Sequence, residues 1–276
     1  MVAGVMGSTC GFATFPVASR RGGAFLCALL SVAMFHPAAP RAQDDPAPGG
    51  PAAAGTSVKS PSEPFEMTTY QFAILKNGPN TGKLTPEVSG PMLAIQLERF
   101  ETLLKMGKLI VTGPVEGGGD VRGIAVFNMP DAGAVREMMK DDPFVKAGTM
   151  TIEIHPWFTA KGVFGRPPVF LDLEPCILGI LSRPAGAPQF AEEKLQQLQE
   201  GHMGNIRAMH EAGELVTAGP FADDGTMRGV FLFRSSSEER VKELVSKDPS
   251  IQAHRLEMTL YHWRVSKGIL PAADAP

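Results

Sequence analysis

The chain has 276 residues, enough for two domains of ordinary size. Its formal net charge is −3 and its lysines and arginines are scattered singly, so it lacks the basic stripe that neutralises nucleic-acid phosphates. Two of its three cysteines, Cys10 and Cys27, lie near the amino terminus, which leaves Cys176 without a disulfide partner in the rest of the chain. These features argue against a nucleic-acid partner and an internal disulfide, and Cys176 is expected to be a buried thiol.

Residues 1–42 have the features of an export signal. Arg20 and Arg21 precede an apolar run, residues 24–35, that is too short to span a bilayer comfortably. We expect cleavage near Ala42 and a periplasmic or secreted protein without a membrane span, with an uncleaved anchor helix as the alternative. Residues 43–64 consist largely of Asp, Pro, Ala, Gly and Ser, a composition that predicts a disordered linker.

The remaining sequence contains an internal repeat. Residues 201–220 (GHMGNIRAMHEAGELVTAGP) align with residues 95–114 (IQLERFETLLKMGKLIVTGP) at a fixed offset of 106, without a gap. The same offset relates Arg228-Gly229 to Arg122-Gly123, Asp248-Pro249 to Asp142-Pro143, Trp263 to Trp157 and Lys267-Gly268 to Lys161-Gly162. Such self-similarity indicates a duplication, with repeat one at 66–164 and repeat two at 173–270.

Repeat one alternates strand and helix signals. Residues 69–75 are rich in aromatic and branched side chains and predict a strand. Apolar residues then recur at three- and four-residue spacing from Met92 to Leu104 and stop at Gly107, which predicts an amphipathic helix. Strands are expected over 109–112, 122–128 and 149–157, and a second helix is expected to end before Asp142.

Repeat two follows the same plan. Strands are expected over 176–181, 214–218, 228–234 and 254–264, with helices over 189–212 and 237–247. The order strand-helix-strand-strand-helix-strand is the ferredoxin-like arrangement, an α+β fold in which both helices cover one face of a four-stranded antiparallel sheet. Because the other face needs a cover, we expect the two sheets to pack face to face within one chain.

The repeated motifs resemble the YCII-related (YciI-like) family. In repeat two they are a helix histidine, His202, followed by Gly213, Ala218-Gly219-Pro220, Arg228-Gly229, Asp248-Pro249 and Trp263. The resemblance implies a dimeric α/β barrel, built here by two repeats in one chain as an internal pseudo-dimer that could oligomerise further. It also implies a small-molecule ligand and an active-site histidine, proposed in some members to be phosphorylated. Assigned members suggest chemistry such as the dehydrochlorination of hydroxylated aromatics.

His202 is the leading catalytic candidate on the sequence alone. Leu195, Leu198, Ile206 and Met209 fall within about 40° of it on a helical wheel, so its imidazole faces the interior. An imidazole there can act as an acid or base near neutral pH, or it can be a hydrogen-bonded core residue. Repeat one carries Gln96 at the matching position, which predicts an asymmetric site because an amide cannot exchange a proton near neutral pH.

Four further residues are weaker candidates. Asp248 is grouped with His202 as catalytic, although a role in ending a helix before Pro249 would explain why both repeats carry Asp-Pro. Arg122 and Arg228 begin matching strands, and each could bind a ligand or face solvent. Gln96 is also a candidate ligand-binding residue.

The sequence predicts neither a metal site nor a cofactor. No Cys or carboxylate completes a compact ligand set with His202 or His210, and the glycines at 117–119 form a loop that no helix follows directly. We therefore expect a small-molecule pocket in or beside the barrel, serving a lyase or hydrolase that uses His202. The alternatives are a binding module without catalysis and a structural interaction protein with a solid barrel.

Overall fold

The computed structural model describes residues 66–166 and 170–272, all within one compact unit of the chain. The predicted export signal and linker, residues 1–64, lie outside the described residues. Repeat one consists of β1 (Met67–Asn77), α1 (Pro86–Lys105), β2 (Leu109–Glu116), β3 (Val121–Phe127), α2 (Ala132–Met139), α3 (Pro143–Lys146) and β4 (Met150–Ala160). Repeat two consists of β5 (Leu173–Ser182), α4 (Glu192–Glu211), β6 (Leu215–Pro220), β7 (Met227–Phe233), α5 (Glu238–Val245), α6 (Pro249–Gln252) and β8 (Glu257–Ser266).

Each repeat therefore has the expected βαββαβ order, with one addition. A four-residue helix, α3 or α6, follows each Asp-Pro pair. The offset of 106 residues holds for whole elements, since α1 and α4 both have 20 residues and begin at Pro86 and Glu192. No helix within 66–166 and 170–272 is both long and apolar enough to cross a membrane.

All eight strands belong to one antiparallel sheet in the order β4-β1-β3-β2-β8-β5-β7-β6. The halves join edge to edge where Val115 and Glu116 of β2 pair with Trp263 and His262 of β8. At the opposite edges, Trp157 of β4 forms a bridge with the residue that follows β6, Phe221. The two sheets thus do face each other as expected, but as the opposite walls of one nearly closed barrel.

The interior of this barrel is filled with side chains. Along β1, Tyr70, Phe72 and Ile74 point inward while Ala73 and Leu75 point to the helices, as strand alternation requires. The buried interior residues come from all eight strands and the segments that follow β6 and β8: Tyr70, Phe72, Ile74, Val111, Val121, Ile124, Val126, Trp157, Cys176, Leu178, Ile180, Val216, Phe221, Val230, Leu232, Trp263, Val265 and Ile269. Any ligand site of appreciable size must therefore lie beside the barrel core.

The recurring Gly-Pro and Trp motifs join the two repeats. The indole N–H of Trp157 donates to the carbonyl of Gly219 at 3.1 Å, and that of Trp263 donates to the carbonyl of Gly113 at 3.2 Å. A Cβ on Gly219 would lie 2.0 Å from the carbonyl oxygen of Phe158, and Gly113 is equally crowded. Glycine is needed at both positions because the backbones of the two repeats approach so closely.

Candidate functional site

Each repeat places a pair of polar side chains between its long helix and its short helix. In repeat two, Nδ1 of His202 on α4 lies 2.5 Å from Oδ2 of Asp248. In repeat one, Nε2 of Gln96 on α1 donates to Oδ2 of Asp142 at 2.9 Å. All four residues are buried, so the predicted catalytic residues His202 and Asp248 are in direct contact, and repeat one has the same pair without the imidazole.

The position of the aspartates follows from the Asp-Pro sequence. Oδ1 of Asp248 accepts the backbone N–H of Ser250 at 2.8 Å and caps the start of α6, whereas Oδ1 of Asp142 accepts from Phe144 at 2.9 Å. Proline suits the first turn of a helix because it has no N–H to satisfy there. The aspartates therefore begin a short helix instead of ending the preceding one, and the cap leaves Oδ2 to hold the side chain at 96 or 202.

This geometry would allow His202 to act as an acid or base. When the imidazole is neutral and Nδ1 of His202 donates to the carboxylate of Asp248, the lone pair lies on Nε2. Within the described chain Nε2 has no hydrogen-bond partner, and the ring lies beside Phe231 with their centroids 5.9 Å apart. Such an arrangement orients an imidazole in the same way as the carboxylate of a catalytic triad does.

A cavity of about 810 Å³ lies on the other half of the molecule, at Gln96. Its walls come from the first four turns of α1, the loop before that helix, the strands beneath it and the segment that joins the repeats. Apolar side chains dominate the lining, among them Leu97, Phe100 and Phe170, and the predicted ligand residues Gln96 and Arg122 also contribute. The sequence predicted a pocket in or beside the barrel that serves His202, and this cavity contains Gln96, the repeat-one counterpart of that residue.

The two predicted arginines have different surroundings. Nη1 of Arg122 donates to Oδ1 of Asn77 at 3.2 Å at the border of the cavity. Nη1 of Arg228 donates to the carbonyl of Gly225 at 3.2 Å, within its own hairpin. Both arginines are exposed, so neither side chain is held by contacts in the core. The structure thus brings Gln96 and Arg122 to one cavity, and His202 and Asp248 to one hydrogen bond.

Sequence reasoning missed a buried histidine at the seam of the barrel. Nδ1 of His155 on β4 lies 2.6 Å from Asp223, and its Nε2 lies 3.1 Å from Glu153, which also pairs with Lys76 at 2.5 Å. Burial alone would raise the pKa of Glu153, but the bonds from Lys76 and His155 and their charges outweigh it, and the pKa is lowered. The signal was available, because His155 shares the inward parity of Trp157 on the same strand. These residues connect β4 to the loop after β6.

No metal centre is apparent in the described part of the chain, where no group of three or more His, Cys, Asp or Glu side chains could hold an ion. His210 and a further histidine, His262, make other contacts. His262 lies 2.9 Å from Glu238 at the surface, and Nδ1 of His210 lies 3.2 Å from the carbonyl of Leu215.

Neither a family model nor a curated protein matches the sequence. Among solved structures, a heme-binding protein from Thermus thermophilus is similar with a TM-score of 0.47 and 12% identity, covering 74% of this chain and 94% of that one. A mutant chlorite dismutase from Candidatus Nitrospira defluvii is similar with a TM-score of 0.49 and 10% identity, covering 72% and 91%. At this level of similarity, neither protein indicates the ligand or the reaction of this chain.

Proposed function

We propose that the protein binds a small organic molecule in the cavity of repeat one. The observation that carries this proposal is the cavity itself, whose volume of about 810 Å³ falls within the range of about 300–1,000 Å³ typical of ligand pockets. Its lining has the usual composition of such pockets, with mainly apolar side chains and a few polar groups that orient the ligand. Phe100, Phe144 and Phe170 favour a ligand with an aromatic or alicyclic body.

Gln96 and Arg122 would recognise the polar part of this ligand. Because Nε2 of Gln96 is engaged with Asp142, its carbonyl oxygen is the group that remains to accept a hydrogen bond. The exposed guanidinium of Arg122 can bind a carboxylate or hydroxyl at the cavity border. Neither residue exchanges protons near neutral pH, so repeat one acts as a binding site without acid–base catalysis.

A second candidate function uses His202 of repeat two as the acid–base group of a lyase or hydrolase, or as a phosphate acceptor. The specific observation in its favour is the 2.5 Å contact between His202 and the buried Asp248. The same contact fits membership of the YCII-like family, which we propose on the motifs of both repeats. A purely structural role receives less support, because a structural barrel has no need of a cavity of this size.

The proposed cavity can be tested by ligand screening with a blocked variant. A library of hydroxylated aromatic fragments is screened by ligand-observed NMR, and the dissociation constants of the hits are measured for each variant. Ser89 lines the cavity, so Ser89→Trp is expected to weaken binding at least about tenfold by filling it. The matching position of repeat two is occupied by Leu195, and Leu195→Trp is the control that should bind as the parent does.

Two outcomes would contradict the proposal. One is that no fragment binds to the folded parent protein. The other is that Leu195→Trp weakens binding as strongly as Ser89→Trp, because the ligand would then lie elsewhere.

We further propose that the protein is exported and cleaved near Gln43, on the strength of the basic and apolar pattern of residues 1–42. Mass spectrometry of the protein recovered from the periplasm or medium should find a chain that begins near Gln43. Recovery of the intact amino terminus in a membrane fraction would instead favour the uncleaved anchor helix.

A further inference from the structure

Repeat two carries more positive charge than repeat one around the matching region. Three of its arginines are offset by 106 from residues at or next to the cavity of repeat one: Arg183 from Asn77, Arg228 from Arg122 and Arg255 from Thr149. Arg122 and Thr149 line that cavity, and Asn77 accepts a hydrogen bond from Arg122. Where repeat one has one arginine satisfied by an amide, repeat two has three guanidinium groups.

These three charges are not neutralised within the described part of the chain. The arginine–carboxylate ion pairs found there belong to Arg240 and Arg264. The pKa of Arg255 is lowered, first by burial and then by the positive charges of Arg183 and Arg228. The backbone brings the three residues together, since the N–H of Arg183 donates to the carbonyl of Thr226 at 2.8 Å, and Ser182 pairs with Met227 on one side and with Glu257 on the other.

Arg255 also has a buried donor without an acceptor. Its Nε is enclosed and has no hydrogen-bond partner. A buried polar group left in this state destabilises the folded protein, and more so when the group is charged, so such donors are rare. The chain itself therefore leaves this donor of Arg255 without an acceptor.

A short chain of hydrogen bonds connects Arg255 to the candidate dyad. The backbone N–H of Arg255 donates to the carbonyl of Ser250 at 2.9 Å. The N–H of Ser250 donates to Asp248, whose second oxygen holds His202. Arg255 is thus anchored to α6, the short helix that also positions the imidazole.

We propose that Arg183, Arg228 and Arg255 form a binding site for the oxyanion group of a small molecule, a phosphate or a carboxylate, next to His202. Guanidinium groups bind such oxyanions through paired, charge-assisted hydrogen bonds. A bound oxyanion reduces the repulsion among the three charges. The site is separate from the apolar cavity of repeat one and does not depend on a ligand there.

The test measures the binding of two simple anions by titration calorimetry. Inorganic phosphate and acetate are titrated separately into the full-length mature protein at low ionic strength, with sodium chloride as the control for ionic strength. Saturable binding of phosphate identifies a phosphate site, and saturable binding of acetate identifies a carboxylate site. Arg255→Met should weaken the binding of whichever anion binds the parent protein at least about tenfold, because a charge-assisted contact is lost.

Two other variants make the result decisive. Arg136→Met removes an exposed charge on α2 of repeat one, where no ligand site is proposed, and should leave the affinity for the anion unchanged. Arg183→Met changes an exposed residue, so the protein should remain folded while binding weakens even if Arg255→Met does not fold. The proposal is overturned if neither anion binds in preference to chloride, or if Arg136→Met weakens binding as much as the repeat-two variants do.

Discussion

Replacing His202 by glutamine should cost little stability, whereas replacing it by alanine should cost much more. Glutamine copies repeat one, where Nε2 of Gln96 already satisfies Asp142 at 2.9 Å in the same position. Alanine provides no donor, and the side chain of Asp248 would then keep only the N–H of Ser250 at 2.8 Å. The comparison isolates the part of the interaction between His202 and Asp248 that stabilises the fold.

The difference between the two variants can be estimated from the burial of Asp248. Its side chain is 1% exposed, so water cannot readily replace a lost donor. Hydrogen bonds to charged groups contribute about 1.5–3 kcal/mol, and His202→Ala should lower the free energy of unfolding by about that amount or more. His202→Gln should lower it by less than about 1 kcal/mol, since the amide N–H takes the place of the ring N–H as the donor to Asp248. A difference of about 2 kcal/mol corresponds to about 4–8 °C in Tm for a domain of this size.

Urea unfolding followed by circular dichroism at pH 7 would measure both variants, with Gln96→Ala as the matched control in repeat one. Gln96→Ala should resemble His202→Ala, since each leaves a buried aspartate without its side-chain donor. Asp248→Asn keeps a good helix cap but loses the charge, so it should cost about 1–2 kcal/mol. If His202→Gln proves as destabilising as His202→Ala, the imidazole has a structural role that an amide cannot fill, and the equivalence of the two repeats at this position is wrong.

Three further predictions concern the barrel. Gly219→Ala should destabilise the protein by at least about 2 kcal/mol in urea unfolding, because the new Cβ would lie 2.0 Å from a carbonyl oxygen of β4. The control is Gly204→Ala on α4, where the new Cβ meets open space, and this variant should be neutral or stabilising. Burial raises the pKa of Cys176 from 9.0 to about 12, so iodoacetamide should modify this thiol at pH 8 only after the protein unfolds. Because the thiol loses its proton at a lower pH in the unfolded chain than in the folded one, the free energy of unfolding should fall as the pH rises from 9.0 towards 12. Residues 66–164 and 173–270, expressed separately, should aggregate or dimerise because each exposes an apolar sheet face, and two soluble folded monomers would contradict this.

The order of the elements could be predicted from the sequence because its signals are local. Apolar periodicity along α1 and α4, the glycines that end them and the branched residues of the strands all act within a few positions. The fixed offset of 106 residues then established two copies of one fold. The interior position of His202 also followed from helix periodicity, and the structure confirms that the residue is buried.

The exceptions in local structure also have a physical reason. The extra helices α3 and α6 have only four residues, too few for a periodic pattern, and depend on the Asp caps at Asp142 and Asp248. The contact between His202 and Asp248 joins residues 46 positions apart, which no local signal reveals.

The location of the open space was decided by tertiary structure alone. Whether a cleft remains beside a helix depends on the volume of side chains from several elements, and a pattern along one element does not report that sum. At Gln96 the residues of α1, the strands and Phe170 leave a cavity. The sequence alone thus determined the duplicated fold and the asymmetry between Gln96 and His202. Only the packing of distant segments decided that the cavity lies at Gln96 and that three arginines without a carboxylate partner, Arg183, Arg228 and Arg255, lie close together. Both features depend on residues that meet only once the chain has folded.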